Sequence, residues 1–296
     1  MSLVINNNLM AMNAARNLSN SFGALSVSVR RLSSGLRITT AADDAAGMAI
    51  REIMRSDIAA LNQGVRNAND AISLIQTADG ALAVIDEKLV RMKELAEQAA
   101  TGTYNSDQRL ILDSEYQAMA SEITRIANAT DFNGLYLLNG NLSSDTHDGS
   151  GLVASGKMKI HFGTANDSAE DYYYIKIGNA TASALGVGNQ AASGSGYAIS
   201  TQSAAQNALE GINEAIVSKD KIRAGLGAMQ NRLQNTITNL QIQAENLSAS
   251  ESRISDVDVA LEMTNFVKQQ ILSQAATAML AQANSLPRMA MQLLGG

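Results

Sequence analysis

The chain has 296 residues, 46% of them apolar but only 4% aromatic, with no tryptophan, no cysteine and a single proline, Pro287. Zero cysteines exclude a disulfide frame, a thiolate nucleophile and any cysteine-ligated zinc or iron–sulfur site, and one proline where average usage gives roughly 15 favours long unbroken helices. The net charge of −6 leaves no overall basic footprint of the kind nucleic-acid binding needs, and no apolar run approaches the roughly 18 residues of a membrane span.

Residues 1–42 carry Arg16, Arg30, Arg31 and Arg37 and no acid; Asp43 is the first. Asn6, Asn7 and Asn8 interrupt the stretch Met1–Met12, so a cleaved secretory signal is not expected. Ile5, Leu9 and Met12, then Phe22, Leu25, Val29, Leu32 and Leu36, step by threes and fours. That rhythm predicts an amphipathic helix of about 30 residues ending near Ser33-Ser34-Gly35. Residues 36–47 form a junction in which Asp43 or Asp44 can cap the next helix.

From Ala45 to Ala100 a seven-residue ladder runs through Met54, Leu61, Ala68, Ile75, Leu82, Leu89 and Ala96. Ile58, Val65 and Ile72 supply a second seam, resumed by Ile85, Met92 and Ala99. A strict heptad keeps one face of an under-wound helix on a partner helix. Such a helix spans about 80 Å at 1.5 Å per residue. Thr101–Asn105 reads as a loop, with Ser106 or Asp107 as the cap of a third helix stepping through Leu112, Tyr116, Met119, Ile123 and Ile126. Asn133-Gly134 marks a turn.

Residues 139–200 change character and become dense in Gly, Ser, Asn and Thr. Met158, Ile160 and Phe162 alternate with Lys157, Lys159 and His161, and Tyr173, Ile175 and Ile177 with Tyr172, Tyr174 and Lys176. Joined by Gly163–Asp171, these runs predict a β-hairpin with one buried face. The helical period returns near Thr201 and enters a second ladder of Leu226, Leu233, Leu240, Leu247, Ile254 and Leu261. A last arm continues through Ile271, Leu272, Ala276, Met279, Ala283 and Leu286, and Pro287 is expected to stop it.

Catalytic signals are nearly absent: there is no HExxH, nucleophile elbow or Walker loop. Gly186-Val187-Gly188-Asn189-Gln190-Ala191 fits a dinucleotide pattern only formally and reads as linker, and Asp43-Asp44 reads as capping. His147 and His161 are isolated, the latter on an outward strand face. No cofactor or metal is expected. The end arms, rich in Ala, Ser, Asn and Gln, have few large apolar groups per turn. Their order is expected to come from packing rather than propensity and to appear when they are buried against other copies. Equal patches meeting head to tail without closure give a helical filament.

Several stretches are similar to bacterial flagellins: Val4–Met10, Arg31–Ile38, Asp43–Ile50, Asn67–Asp70, Ile72–Ala78, Asp131–Gly134, Gln230–Leu233, Glu245–Ala249, Glu262–Thr264, Lys268–Leu272 and Ala281–Asn284. They cover about residues 3–140 and 205–294. The short middle resembles a minimal flagellin. Thr39-Thr40-Ala41-Ala42 departs from the Asn-Ser-Ala-Lys frequent in relatives.

The resemblance implies a mainly α fold of long antiparallel coiled-coil helices with a small β-hairpin region and paired terminal arms. The helical arms 1–44 and 255–296 would form a lumen-lining domain. Residues 45–254 would form a rod domain with a β-rich segment at about 134–200. The rod core would be Met54, Leu61, Ile75, Leu82, Leu89, Leu226, Leu233, Leu240 and Leu247. The polymer-forming arm residues would be Ile5, Leu9, Leu25, Val29, Leu32, Leu36, Leu261, Ile271, Leu272, Met279 and Leu286.

It also implies a non-enzymatic subunit of the extracellular motility filament, exported by a type III route without a cleaved signal peptide. Its partners would be further copies of itself, an export chaperone on the C-terminal arm, and hook–filament junction and cap proteins, with neither nucleic acid nor membrane insertion. Arg91, Leu95 and Glu115 match positions that engage the Toll-like flagellin receptor. The other readings are a hook–filament junction protein, an enzyme carried by an inserted domain, and a binding module displayed through residues 139–200. The missing HExxH speaks against the enzyme.

Overall fold

The computed structural model describes residues 8–149, 155–168, 170–189 and 196–294, with all their side chains except those of 155, 286–288 and 290–294. Its helices are α1 (Leu9–Ser34), α2 (Ala45–Ala100), α3 (Ser106–Ala129), α4 (Ala182–Leu185), α5 (Gln202–Ser255) and α6 (Val259–Leu294). The strands are β1 (Asp131–Phe132), β2 (Leu135–Tyr136), β3 (His147–Asp148), β4 (Ser155–Gly156), β5 (Met158–His161) and β6 (Tyr172–Ile175), paired as three separate antiparallel two-stranded ladders. The fold is mainly α, as the proline-poor, alanine-rich composition requires.

Two compact units divide the chain: residues 1–58 with 245–296, and residues 59–244. The divisions fall inside α2 and α5, not at helix ends.

In the second unit, α2, α3, α5 and the β segments share one core. The α2 ladder is its spine: Leu61, Ala68, Ile75, Leu82, Leu89 and Ala96 are all buried. The second seam settles one residue away from the expected one over its first half. Ala71 and Ala78 are buried and lead into Ile85, Met92 and Ala99, whereas Val65 and Ile72 are only half-buried. Alanine at these seam positions lets neighbouring elements approach closely, and the larger side chains lean on its flank. On α3, Tyr116, Ala120, Ile123 and Ala127 face inward. Leu226 and Leu233 of α5 complete the packing, and Leu240 is buried as well.

Charge pairs fix the direction and register of α5 on α2. Lys219, 2% exposed, reaches Asp86 at 2.5 Å and Asp220 at 2.7 Å. Arg223 donates to Asp79 at 2.7 Å. As numbers rise on α5 they fall on α2, so the two helices are antiparallel. Burying the Lys219 ammonium is tolerable only because two carboxylates surround it.

Helix ends correct two sequence expectations. α3 is capped by Asn105, not Ser106 or Asp107. Its side chain accepts from Gln108 N at 2.8 Å, and Gln108 Oε1 accepts from Asn105 N at 3.1 Å. This reciprocal box needs Gln three residues after the cap, which selects Asn105. Pro287 does not stop the last helix, because α6 runs on to Leu294. The expected end of α1 holds, since the helix closes at Gly35 in the left-handed conformation; at the end of α2, Arg109 donates to the Ala99 and Thr101 carbonyls.

The expected hairpin forms from β5 and β6, with Lys159 opposite Tyr174 and His161 opposite Tyr172. It is tied to α2 where Asn67 Nδ2 donates to the His161 carbonyl at 2.8 Å. Gly64 is required there, since a Cβ would lie 2.0 Å from the Phe162 carbonyl oxygen.

Candidate functional site

The first unit is built on the pairing of α1 with α6, and three clusters hold that pair together. At one end Asn8 works in two directions. Its Oδ1 accepts from Ala11 N at 3.0 Å and caps α1, while its Nδ2 donates to the Ala283 carbonyl at 2.7 Å. Ala283 lies four residues before Pro287, which has no N–H to offer it. The asparagine therefore supplies the hydrogen bond that the proline removes, which explains how α6 passes through Pro287.

Further along, Ser28 Oγ donates to Glu262 Oε1 at 2.5 Å, and Arg31 approaches Glu262 Oε2 at 3.7 Å. Ser28 and Glu262 are both buried. Glu262 stands in the first turn of α6, where a carboxylate suits the helix dipole.

The third cluster is the junction. Arg37 N donates to the Ser255 carbonyl at 2.7 Å and Arg37 Nη2 to the Ile254 carbonyl at 2.6 Å, while Val257 N donates to the Gly35 carbonyl at 3.0 Å. The free carbonyls at the end of α5 thus find donors in the segment that follows α1. Asp44 caps α2 through Gly47 N at 2.9 Å. Asp43 instead accepts from the hydroxyls and amides of both Thr39 and Thr40. The Thr39 hydroxyl leads these bonds, which hold the Asp43 carboxyl far below its ordinary value of 3.8. Arg51, 6% exposed, donates to the Ile38 carbonyl at 2.9 Å. Gly47 leaves room for both the Asp44 cap and the buried Ile38, because a Cβ there would lie 2.5 Å from Asp44 Oδ2 and 2.8 Å from Ile38 Cδ1.

Outside these contacts the arms carry apolar groups that cover nothing. Leu9 is 65% exposed, Leu261 62% and Met279 63%, and Val29, Ile271 and Leu272 are exposed as well. Leu25, Leu32 and Leu36 are half-buried. A shallow cavity of about 400 Å³ opens between the helices beside Met10, Asn17 and Met279. Ile5 and the Leu286 side chain lie outside the described residues. The second ladder grades into this surface: Leu240 is buried, Leu247 and Ile254 are half-buried, and Leu261 is open. On the first ladder, Met54 is half-buried.

The remaining trio of sequence-named residues separates. Arg91 and Glu115 are joined across α2 and α3 at 2.8 Å, with Glu94 bonded to the same guanidinium at 2.9 Å. Bonds to Glu94 first, and then to Glu115, raise the arginine's pKa further. Leu95, by contrast, is 1% exposed and packs in the core. The i, i+4 spacing allowed one shared face, but the face is split: Arg91 lies on its solvent margin and Leu95 on its core side.

The roles of Asn8, Ser28, Arg51 and Glu262 escape a sequence reading, since their partners are fixed only by the fold. Ser28 and Glu262 stand 234 residues apart. Among the described residues there is no group of three or more metal-ligating side chains, and no helix is long and apolar enough to cross a membrane.

Comparison with known proteins accounts for this arrangement. Residues 5–143 match the model of the bacterial flagellin N-terminal helical region, and residues 209–294 that of the C-terminal helical region. The chain is 41% identical to the flagellar filament 33 kDa core protein of Treponema phagedenis, over 99% of this chain and all of that one. It is 43% identical to the flagellin of Bacillus subtilis, over 98% of this chain and 99% of that one. A solved protein of Vibrio parahaemolyticus, described as flagellar hook-associated, is similar in fold at 15% identity and a TM-score of 0.55, covering 72% of this chain and all of that one.

Proposed function

The chain belongs to the bacterial flagellin family of structural, non-enzymatic filament subunits, and from that premise we propose that it polymerises outside the cell into the helical filament that drives swimming. The observation that carries this reading is the open apolar surface of α1 and α6, with Leu9, Val29, Leu261, Ile271, Leu272 and Met279 uncovered on a single chain. Apolar surface of this kind needs a partner, and further copies of the chain offer the same surface. In a head-to-tail arrangement that does not close, the result is a filament. Electron microscopy of the purified protein tests it: wild type is expected to form long filaments and Leu261→Asp none. Failure of the wild type to propagate would favour the hook–filament junction reading.

The finer assignments follow from the same premise. Residues 1–44 and 255–296 pair as the lumen-lining domain, and 45–254 form the outer rod. The chain leaves the cell unfolded by type III export without signal cleavage. An export chaperone covers the apolar face of the C-terminal arm, and junction and cap proteins meet the filament ends. The free subunit is recognised by the Toll-like flagellin receptor through Arg91 and Glu115, whose exposed ion pair is available to a partner, while Leu95 supports them from the core. Reporter cells exposed to Arg91→Ala and Glu115→Ala subunits should respond less than to wild type. Full signalling by both variants would refute the receptor assignment.

A further inference from the structure

The outward face of the β5–β6 hairpin gathers Lys157, Lys159 and Lys176, with Asp145 beside them, on a chain whose net charge is −6. The inward face, with Ile160, Tyr173 and Ile175, packs on the core. On the outward face Lys159 Nζ sits 3.6 Å over the Tyr172 ring and Lys157 Nζ 4.3 Å over the Tyr174 ring. The two tyrosines meet edge to face at 5.4 Å. His161 stacks on Tyr172, and His147 from β3 tilts against Tyr174 while its Nδ1 contacts the Lys157 carbonyl at 2.7 Å. Continuing the strand register one step sets Lys157 against Lys176.

Like charges placed opposite one another weaken a hairpin. Asp145 lies beside Lys157 and Lys176, and it bonds Lys176 at 2.6 Å. Asp171 faces the loop instead, accepting from Asp167 N. Cation–π contact and hairpin stability alone need one lysine per ring; they do not call for three lysines and both of the chain's histidines on one small face.

We propose that this face binds an acidic polysaccharide. The rings hold the two ammonium groups themselves, with Lys159 Nζ also donating to Asn166 Oδ1 at 3.1 Å, and so fix two positive charges along the strand, matching carboxylates or sulfates repeated along a sugar chain. Single-stranded nucleic acid is a poorer fit. The faces of Tyr172 and Tyr174 are covered by lysine, so bases have no platform to stack on, and the face has no arginine fork for phosphate.

The test measures binding of the full chain to dextran sulfate and polygalacturonate, with neutral dextran and single-stranded DNA alongside. Both acidic polymers should bind, with affinity falling as salt rises. Lys157→Gln/Lys159→Gln should weaken binding at least tenfold. Lys157→Arg/Lys159→Arg should stay within about twofold of wild type, which separates loss of charge from loss of the hairpin. Lys221→Gln on α5 should change nothing. Unchanged binding by the double Gln variant, equal binding of neutral dextran, or tighter binding of single-stranded DNA would overturn the proposal. None of these readouts depends on filament formation.

Discussion

At the residue scale, the most telling pair is Asn8 and Pro287. A proline inside a helix costs about 3 kcal/mol or more, partly because one carbonyl loses its donor, and Asn8 restores a donor to that carbonyl. Asn8→Ala should weaken the arm pair by about 1–2 kcal/mol, since it removes both a cap and this bond. In a Pro287→Ala background the same substitution should cost less, because residue 287 then supplies the N–H itself. A double-mutant cycle on filament thermal stability reads the coupling, and strict additivity would contradict this account.

Two neighbouring residues make further predictions. Gly47→Ala forces a methyl against the Asp44 carboxylate that caps α2 and against Ile38 and should destabilise the junction by about 1–3 kcal/mol as overpacking and a weakened cap, seen as a lower melting temperature. The depressed carboxyl of Asp43 contributes stability that is complete above its ordinary value of 3.8 and is lost as pH falls below it. The amide signals of Thr39 and Thr40 should therefore shift together in acid in the wild type. In Asp43→Asn they should not.

At the element scale, the ladders have one rhythm and two energies. Leu82 is fully buried, so Leu82→Ala should cost the soluble chain about 2–5 kcal/mol. Leu261 continues the α5 ladder beyond the helix break but is 62% exposed. Leu261→Asp should leave the melting temperature of the soluble chain within about 1 °C, since surface substitutions of this kind usually change stability by under ~0.5 kcal/mol. Calorimetry of both variants checks the contrast. Identical losses would mean that the ladder is energetically uniform.

At the scale of the whole molecule, the unequal packing sets an order of events. The second unit contains the main hydrophobic core, whereas the arms leave large apolar side chains open. Amide exchange should thus be fast along α1 and α6 in the soluble chain and slow in the filament, while the middle of α2 is slow in both. Equal protection of the arms in both states would contradict assembly-linked ordering.

From the sequence alone the long helices and one hairpin can be read. Ladder spacing, the lack of internal prolines and the strand alternation placed α2 from Ala45 to Ala100 and the β5–β6 hairpin, because backbone periodicity is a local property of the chain. Its family motifs were equally legible. Only the tertiary structure decided which ladder positions are covered, since Leu240 and Leu261 are the same residue in the same repeat and differ only in their neighbours. It also decided that Leu95 is core and Arg91 is surface, and that a proline expected to end a helix does not. In each case a partner far away in sequence supplies the contact or hydrogen bond, and local spacing carries no information about it.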